Sequence, residues 1–339
     1  MSSNFAYIKS IAWITPEKEY SNTDFFKDFP EAASNANLLK VGVEKRFVVD
    51  KNTTASDLAY EAGIKLFQDF NIHPESIDFL IFCSLEFDYI TPATSCVLQD
   101  RLGLRESVGT FDCNHGCSGY TYALSMAKGL IESGQVKNVL ILTTSTLTKN
   151  LHPKDKSLRF VFGDAAAATL VDSRTDNWGI GAFEFGSRGK DIDKLIIKDG
   201  LGRNPIDEES SKEIIDEYGN IHSRETLYMD GIGVFLFSMN VVPKMVNSLL
   251  EKNKISLEQV DHFVFHQANA FLNESLRKKL NIPEEKFMIY MAEVGNTVAS
   301  TIPIALCEGI RSGRFAPGDK ILLAGFGTGL SWSGTIVQL

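Results

Sequence analysis

Basic side chains are scarce relative to acidic ones in this chain. It has 34 lysine and arginine residues against 43 aspartate and glutamate residues, which gives a formal net charge of −9 at pH 7. Nucleic-acid binders need a basic face that displaces counterions, so this balance argues against that class. It leaves open an acidic protein partner that docks on a local basic patch. The candidates are Arg277, Lys278 and Lys279, and a second group of Lys149, Lys154, Lys156 and Arg159, although either group alone is typical of a solvated surface.

Long apolar runs and a paired set of cysteines are also absent. No uninterrupted apolar run approaches a membrane span, and residues 1–10 lack the basic-then-apolar pattern of a secretory signal. The five cysteines are odd in number and lie mostly in apolar strand or helix patterns, as expected of reduced thiols. These absences predict a cytoplasmic protein.

The chain does contain enough apolar material for an extensive core. Of its 339 residues, 44% are apolar and 23% are charged, and this length is close to that at which one core divides into two. Apolar strand-like runs alternate with amphipathic helical stretches, which predicts a mixed α/β layered fold. We therefore expect two fused halves.

Two segments of the chain align with each other without gaps. Residues 116–134 match residues 295–313, and the Ser-Gly pair that closes each segment fixes the register. This register places Cys117 opposite Asn296. Each segment then leads into an apolar strand, at residues 138–142 in the first copy and residues 320–324 in the second.

The repeat extends upstream of these segments. Residues 78–83 resemble residues 261–266, so His266 also lies at the end of a predicted strand. A duplicated αβ unit that presents a thiol, an amide and an imidazole predicts one active site assembled between two halves.

Local patterns predict the elements around these residues. Helices are predicted over residues 55–70, 94–102, 117–133 and 270–280, with an N-cap at Thr54 or Ser56 for the first, and strands are predicted over residues 77–84 and 108–112. Residues 186–228 are rich in charge, with scattered glycines and no sustained period. This stretch is predicted to be an irregular surface insertion, either a lid or binding loop or a solvated excursion without function.

Cys117 is the predicted nucleophile. A thiol in the first turn of a buried helix lies at the positive end of the helix dipole, which lowers its pKa and favours the reactive thiolate. Its neighbours are small, and the repeat places a polar residue opposite it. The other apolar-patterned thiols, Cys83, Cys96 and Cys307, are predicted to be inert.

Two histidines raise further possibilities. His115, between Cys113 and Cys117, suggests zinc, but zinc sites normally have a second ligand pair and no second cysteine pair exists here, so His115 is more simply a pocket-wall or packing residue. His266 follows an apolar run and precedes a polar turn and a helix. It is predicted at the rim where ligands of open α/β folds gather, with a hydrogen-bonded core histidine as the alternative.

Five motifs occur in order along the chain. They are Cys117 in Cys-Ser-Gly-Tyr, Gly163-Asp164 in Phe-Gly-Asp-Ala-Ala-Ala-Ala, His266 in His-Gln-Ala-Asn, Asn296 in Gly-Asn-Thr, and the run 325–329 in Gly-Phe-Gly-Thr-Gly. In this combination, which covers almost the whole chain, the sequence resembles the β-ketoacyl-acyl-carrier-protein synthase III family of the thiolase superfamily. The resemblance implies a five-layered αβαβα fold of two duplicated halves and a homodimer.

The resemblance also implies a division of the chain and a reaction. Residues 1–175 form the half with the nucleophile, residues 176–228 an irregular insertion or lid, and residues 229–339 the half with His266 and Asn296. Cys117 accepts an acyl group from a coenzyme A or acyl-carrier thioester, and backbone N–H groups of Cys117 and the loop residues Gly327 and Thr328 hold the oxyanion. His266 and Asn296 stabilise the enolate formed when a malonyl thioester loses carbon dioxide, with no metal or redox cofactor.

The sequence departs from the family pattern around the substrate. Thr91 stands where housekeeping enzymes have phenylalanine on the loop that crosses the dimer, which implies a larger or reshaped acyl pocket. The tryptophan and arginine that sandwich the coenzyme A adenine fall near Ala36 and Lys40. Phe271 replaces an arginine of the carrier-binding helix, whereas Lys278 and Lys279 persist, and Asn269 belongs to the substrate-binding set. These departures predict a specialised fatty-acid or polyketide-type pathway.

Three hypotheses stay open at this point. The first is decarboxylative Claisen condensation. The second is a non-decarboxylating acyltransferase that uses the same acyl-Cys117. The third is a non-catalytic partner subunit of a heteromeric synthase, against which the intact Cys117, His266 and Asn296 set speaks.

Overall fold

Two five-stranded sheets form the frame of the molecule. The computed structural model describes residues 4–175 and 178–339, without the side chains of Ala36 and Asn37. The strands are β1 (Phe5–Ile14), β2 (Glu19–Ser21), β3 (Lys45–Phe47), β4 (Phe79–Cys83), β5 (Gly109–Cys113), β6 (Asn138–Ser145), β7 (Ala165–Arg174), β8 (Ile180–Ser187), β9 (Leu195–Ile196), β10 (Ile214–Ile215), β11 (Ile221–His222), β12 (Tyr228–Met229), β13 (His262–Phe265), β14 (Phe287–Met288), β15 (Lys320–Gly327) and β16 (Ser331–Gln338).

The helices alternate with these strands. They are α1 (Asn22–Asp28), α2 (Ala36–Leu39), α3 (Ala55–Asp69), α4 (Thr94–Arg101), α5 (Gly119–Glu132), α6 (Lys156–Val161), α7 (Gly231–Asn253), α8 (Ala270–Lys279) and α9 (Thr301–Arg311). Helix α3 begins with a capping box in which the Thr54 and Asp57 side chains each accept a backbone N–H of the other residue. The predicted N-cap at Thr54 is therefore confirmed.

The two large sheets have the same topology. The first has the order β1-β7-β6-β4-β5 and the second, read from its other end, β8-β16-β15-β13-β14. In each sheet two strand pairings are parallel and two are antiparallel, so four strands run in one direction and only β7 or β16 runs in the other. The duplicated α/β architecture predicted from the repeat is confirmed.

Helices α5 and α9 lie between the two sheets. Helix α5 contacts strands of both sheets, α3 and α4 pack on the outer face of the first, and α7 packs on the outer face of the second beside α8. Small residues such as Ala123 and Ala127 are fully buried in α5, as a helix enclosed on two sides requires. Both central helices end at a serine with φ −78° and ψ −5°, followed by Gly134 or Gly313 at positive φ. The copies therefore keep the predicted register to their last turns.

Helix α7 is long and apolar enough to cross a membrane by length and composition alone. Small, polar and charged residues interrupt it and Pro243 lies inside it, so it contains no uninterrupted apolar run of that length. Its apolar face, including Phe237, Val242 and Leu249, is buried in the cluster that also contains Phe263 of the second sheet. It packs as a core helix.

The segment predicted to be irregular is more ordered than expected. Strand β8 lies within residues 176–228 and forms the edge of the second sheet against β16. The outer face of β8 remains partly exposed. Apart from Phe183 and Phe185, the strand therefore shows only a weak alternation of apolar and polar residues in the sequence. The remaining residues form the two-stranded pairs β9–β12 and β10–β11.

Candidate active site

The loop between β5 and α5 holds Cys117 beneath the glycine-rich end of β15. The prediction placed the thiol in the first turn of this helix. Helix α5 begins at Gly119, so the thiol instead precedes the first turn. Gly327 has a φ of 152°, and a Cβ built on it would lie 2.6 Å from Cys117 Sγ. Only glycine allows this approach. The Sγ atom lies 3.9 Å from the hydroxyl of Thr328.

Burial, not the helix dipole, has the largest effect on the pKa of the Cys117 thiol. Only 6% of the residue is exposed, and burial raises the pKa of the thiol, although the backbone N–H groups of Thr328 and Cys117 and the Thr328 hydroxyl oppose the rise. The expected lowering of the pKa is therefore wrong for the free enzyme. The same two N–H groups lie close to the sulfur.

Asn296 lies at the start of the second central segment, with its backbone fixed by the Phe-Gly-Asp motif. Its N–H donates to Val161 O at 2.9 Å, and its carbonyl accepts from Gly163 N at 3.1 Å. The side-chain Oδ1 accepts from Val298 N at 3.0 Å. Because that N–H requires an acceptor, the amide Nδ2 is turned the other way, where it donates at 3.4 Å to Ala268 O and keeps a second hydrogen free.

His266 follows β13 directly and is 2% exposed. Burial lowers the pKa of its imidazole to about 3, so the ring is neutral at physiological pH. Its Nδ1 lies 2.7 Å from Thr301 Oγ1, and Thr301 Oγ1 in turn lies 3.0 Å from Val298 O. The buried thiol and this imidazole are therefore both neutral at rest.

Val298 joins the three predicted catalytic residues. It binds Asn296 through its N–H, contacts the His266–Thr301 pair through its carbonyl, and lines a cavity together with Cys117 and Thr328. Its φ of 53° is unusual for a β-branched residue and typically costs ~1–3 kcal/mol. This strain at the junction of all three groups is the kind that tertiary packing holds in place at functional sites.

The cavity beside Cys117 has a volume of about 1020 Å³. Its wall near the sulfur is apolar and includes Leu85, Leu147 and Phe162, whereas Glu86 and Asp88 contribute carboxyl groups. His266 and Asn296 do not line this cavity, whereas Val298 does. Such a volume accommodates an acyl chain of several carbons.

The predicted substrate-binding residues are spread along a separate face. Phe271 is 54% exposed and its ring stacks on that of Phe235 with centroids 5.6 Å apart. Asn269 caps α8, with its side chain accepting from Leu272 N at 2.7 Å. Lys40 is exposed. It lies near the start of α8, because the next residue, Val41, accepts a hydrogen bond from Ala270 N at 2.8 Å. The side chain of Ala36 lies outside the described residues.

Thr91 is exposed and does not line the cavity of its own chain, whereas its neighbour Ile90 does, with 96% of its surface accessible. The predicted role of Thr91 therefore depends on a second subunit. Its loop leads directly into α4.

The predicted carrier-protein patch is only partly available. Arg277 is engaged by Glu274 at 2.6 Å and is 14% exposed at its side chain, and Lys279 donates to Met239 O at 2.8 Å. Lys278 is 69% exposed and pairs with Glu274 at 3.2 Å. Because Glu274 pairs with Arg277 and Lys278, the end of α8 carries less net positive charge than its three basic residues predict.

The alternative zinc residues are used in packing. The ring of His115 stacks on Tyr122 at 4.3 Å between centroids, and its carbonyl accepts from Cys83 Sγ at 3.6 Å. Cys113 is buried opposite Cys83 on the neighbouring strand. No group of three or more histidine, cysteine, aspartate or glutamate side chains positioned for a metal occurs in the described part of the chain.

Three residues of the site were missed in the sequence. Val298 and Thr301 look like ordinary helix-start residues, and a threonine five positions after the predicted asparagine gives no sign that it meets a histidine. Glu86 did give a signal, because a glutamate three residues after the apolar strand β4 is unexpected beside a largely apolar cavity.

The chain is similar to proteins of one enzyme family. Family models described as 3-oxoacyl-[acyl-carrier-protein] synthase III and its C-terminal part match residues 111–189 and 250–339. A β-ketoacyl-[acyl-carrier-protein] synthase III of Clostridium perfringens is 36% identical and the match covers 96% of both chains. A solved 3-oxoacyl-(acyl-carrier-protein) synthase III superposes with a TM-score of 0.97 at 42% identity over 99% of this chain and 100% of that one. The priming β-ketosynthase of the R1128 polyketide pathway gives a TM-score of 0.84 at 27% identity, covering 100% of this chain and 97% of the other.

Proposed function

The chain belongs to the β-ketoacyl-acyl-carrier-protein synthase III family of condensing enzymes, and we propose that Cys117, His266 and Asn296 carry its reaction. The observation that supports this assignment is their connection through Val298, which touches the groups around all three. The substrates are acyl thioesters, and the reaction is a transferase reaction of fatty-acid biosynthesis.

The first half-reaction loads the enzyme. Cys117 Sγ attacks the carbonyl carbon of an acyl thioester, the tetrahedral oxyanion accepts from the N–H groups of Cys117 and Thr328, and the donor thiolate leaves with the thiol proton. Burial raises the pKa of the Cys117 thiol, so the thiol keeps its proton until the substrate is bound. The proton must then pass to the leaving thiolate as the new carbon–sulfur bond forms.

The second half-reaction forms the carbon–carbon bond. The bond from the malonyl carbon to its carboxylate breaks, carbon dioxide leaves, and the electron pair becomes an enolate whose oxygen accepts from His266 Nε2 and Asn296 Nδ2. The enolate carbon attacks the acyl-Cys117 carbonyl and the Cys117 thiolate leaves, giving a 3-oxoacyl thioester. A neutral His266 donates here only if its proton is on Nε2.

Measuring carbon dioxide release and products from an acyl-coenzyme A and malonyl-acyl-carrier protein tests this assignment. Acylated Cys117, stoichiometric carbon dioxide and a 3-oxoacyl product are expected. Acyl transfer without carbon dioxide would favour the acyltransferase alternative, and a Cys117 that never gains acyl mass would favour the non-catalytic subunit.

Thr301 positions the imidazole in this scheme. Its one hydroxyl proton is directed to Val298 O at 3.0 Å in the structure, while the oxygen lies 2.7 Å from His266 Nδ1; we propose that the proton turns to Nδ1 during decarboxylation, which places the ring proton on Nε2. Thr301→Val should therefore slow decarboxylation at least about tenfold, up to the ~10²–10³ of a lost oxyanion donor, with acyl loading intact. Thr301→Ser should retain the wild-type rate. Nitrogen-15 NMR of the imidazole should show the proton moving to Nδ1 in the valine variant, and an unchanged tautomer would contradict this role.

We infer a cytoplasmic homodimer. The outer edge of β5 pairs with no described strand, and Phe111 on it is 44% exposed, so two copies could pair their sheets through this edge. The neighbouring loop with Ile90 and Thr91 would then reach the partner's cavity. Light scattering of the wild type and of Phe111→Asp tests the state of assembly.

Replacing Thr91 with phenylalanine tests that reach. If the loop enters the partner's acyl cavity, the ring should fill volume there and favour short acyl groups. Each excluded methylene is worth ~0.8 kcal/mol, so blocking a few should change selectivity more than tenfold. Acetyl and longer acyl thioesters are offered together to wild type and Thr91→Phe, and an unchanged loading ratio would mean that Thr91 lies outside the cavity.

The carrier protein is proposed to dock near the exposed end of α7 and α8. Leu236 is 61% exposed and Phe271 is 54% exposed, next to the charged Lys278. This combination suits a carrier helix that presents both apolar and acidic side chains. The departures around Thr91, Lys40 and Phe271 support a specialised rather than a housekeeping pathway.

A further inference from the structure

Two buried hydroxyl groups join the loop that carries Cys117 to the turn that follows β15. Strand β15 ends at Gly327, the turn passes through Thr328, and β16 begins at Ser331, which pairs with Gly327. Ser331 is 2% exposed, and Ser118, directly after the nucleophile, is fully buried. Their hydroxyl oxygens lie 2.8 Å apart although 213 positions separate them in the sequence. Neither hydroxyl takes part in the proposed reaction.

The protons of this hydroxyl bridge, formed by Ser118 and Ser331, can be assigned. Ser331 Oγ donates to Thr328 O at 2.7 Å, which uses its only proton. Ser118 Oγ must therefore donate to Ser331 Oγ rather than accept from it. Donation runs from Ser118 through Ser331 to the carbonyl of Thr328. The bridge thus connects the residue after the nucleophile with the residue that supplies the second proposed oxyanion donor.

The remaining contacts between these two parts of the chain cannot replace the bridge. A Cβ built on Gly325 would lie 2.8 Å from Ser118 Cα, so the backbones touch, but such packing does not fix a direction. The N–H and the hydroxyl of Thr328 are both directed to the Cys117 sulfur. Those contacts change when the sulfur is acylated, whereas the hydroxyl bridge does not involve the sulfur.

The two parts that the bridge connects carry the N–H groups proposed to hold the oxyanion. One N–H belongs to Cys117, next to Ser118, and the other belongs to Thr328. Donors of this kind stabilise a tetrahedral intermediate only if their positions are fixed before the reaction. A hydrogen bond has a preferred distance and direction, so the bridge limits how far the two donors can separate.

We propose that Ser331 is a positioning residue of the oxyanion site, which together with Ser118 holds the N–H groups of Cys117 and Thr328 at the separation that the tetrahedral intermediate requires. It acts through Ser118 and Thr328 and not on the substrate. Removing its hydroxyl leaves Ser118 Oγ buried without an acceptor, which favours movement of the loop. This inference rests on the proposed acylation of Cys117.

Single-turnover acylation tests the proposal. Acetyl-, butyryl- and octanoyl-coenzyme A are offered to wild type, and the fastest is then used at a series of concentrations, with intact-protein mass spectrometry as the readout. Ser331→Ala should lower the saturating rate about tenfold or more, up to the ~10²–10³ of a lost oxyanion donor. The half-saturating concentration should not change, because the oxyanion is absent from the bound ground state. Ser331→Thr, which keeps the hydroxyl, should restore the rate.

Alkylation by iodoacetamide separates the oxyanion site from the thiol. The Cys117 sulfur forms a bond to a saturated carbon as iodide leaves, so no oxyanion develops. Mass spectrometry of the peptide that contains Cys117 should therefore show the same alkylation rate in Ser331→Ala as in wild type. An equal loss of acylation and alkylation would assign Ser331 to placement of the thiol and overturn the proposal.

Thr335→Val is the matched control, because it removes another buried hydroxyl of β16, one that donates to Ala182 O at 3.1 Å. It should keep both rates. Ser118→Ala should also slow acylation and spare alkylation, and it decides the question if Ser331→Ala does not fold. The double variant should lose no more than Ser331→Ala alone, since both hydroxyls belong to one bridge.

Three results would overturn the role of Ser331. They are wild-type acylation in folded Ser331→Ala or, failing that variant, in Ser118→Ala; fully additive losses in the double variant; and a folded Ser331→Thr that stays as slow as the alanine variant. Each leaves the proposed function intact. Wild type that gains no acyl mass from any thioester contradicts that function instead.

Discussion

Replacing Cys117 with alanine should abolish acyl loading. No other cysteine lies beneath the glycine-rich end of β15, where Gly327 permits contact with the sulfur and Thr328 directs its N–H toward it. Without the thiol no covalent acyl intermediate forms, and condensation should fall to background. Intact-protein mass spectrometry after incubation with an acyl-coenzyme A measures the loss directly.

Cys113→Ala is the matched control for this experiment. Cys113 is buried four residues away, at the end of β5, opposite Cys83 of β4. The variant should gain acyl mass as wild type does. If the alanine at position 113 prevents acylation and that at position 117 does not, the nucleophile has been misassigned.

His266→Ala and Asn296→Ala should impair decarboxylation far more than loading. Their donors act where enolate charge develops, and removing one such donor typically costs ~10²–10³ in rate. The oxyanion loop at Cys117 and Thr328 is untouched in both variants, so acyl-Cys117 should still form. Loading is measured by mass spectrometry, and decarboxylation by release of labelled carbon dioxide from malonyl-acyl-carrier protein.

Asn273→Ala serves as a control for loss of a buried amide, because Asn273 is fully buried on α8 outside the site. It should affect stability without separating the two half-reactions. Equal losses of loading and condensation in both His266→Ala and Asn296→Ala would contradict the division of labour proposed for the site.

The repeat carried most of the fold prediction. The duplicated architecture and the ends of α5 and α9 follow from a repeated pattern of apolar runs and glycines, which is a local property of the chain. Strand β8 was missed because an edge strand with one exposed face has little apolar alternation. Helix α7 was not recognised as a long apolar helix because small and polar residues interrupt it.

The direction of the Cys117 pKa was wrong for a different reason. The helix dipole is a local effect that can be read from sequence, whereas burial depends on how β15 closes over the loop, and here burial prevails. The same packing lowers the pKa of His266 and raises the pKa of Glu86 to about 7.

The sequence by itself determined the nucleophile, imidazole and amide that we assign and the duplicated architecture that carries them, because these depend on residue type and on periodicity along the chain. Only the tertiary structure decided how they are joined, through Val298 and Thr301. Hydrogen-bond partners and solvent exposure arise from segments far apart in the chain, and no local pattern specifies them.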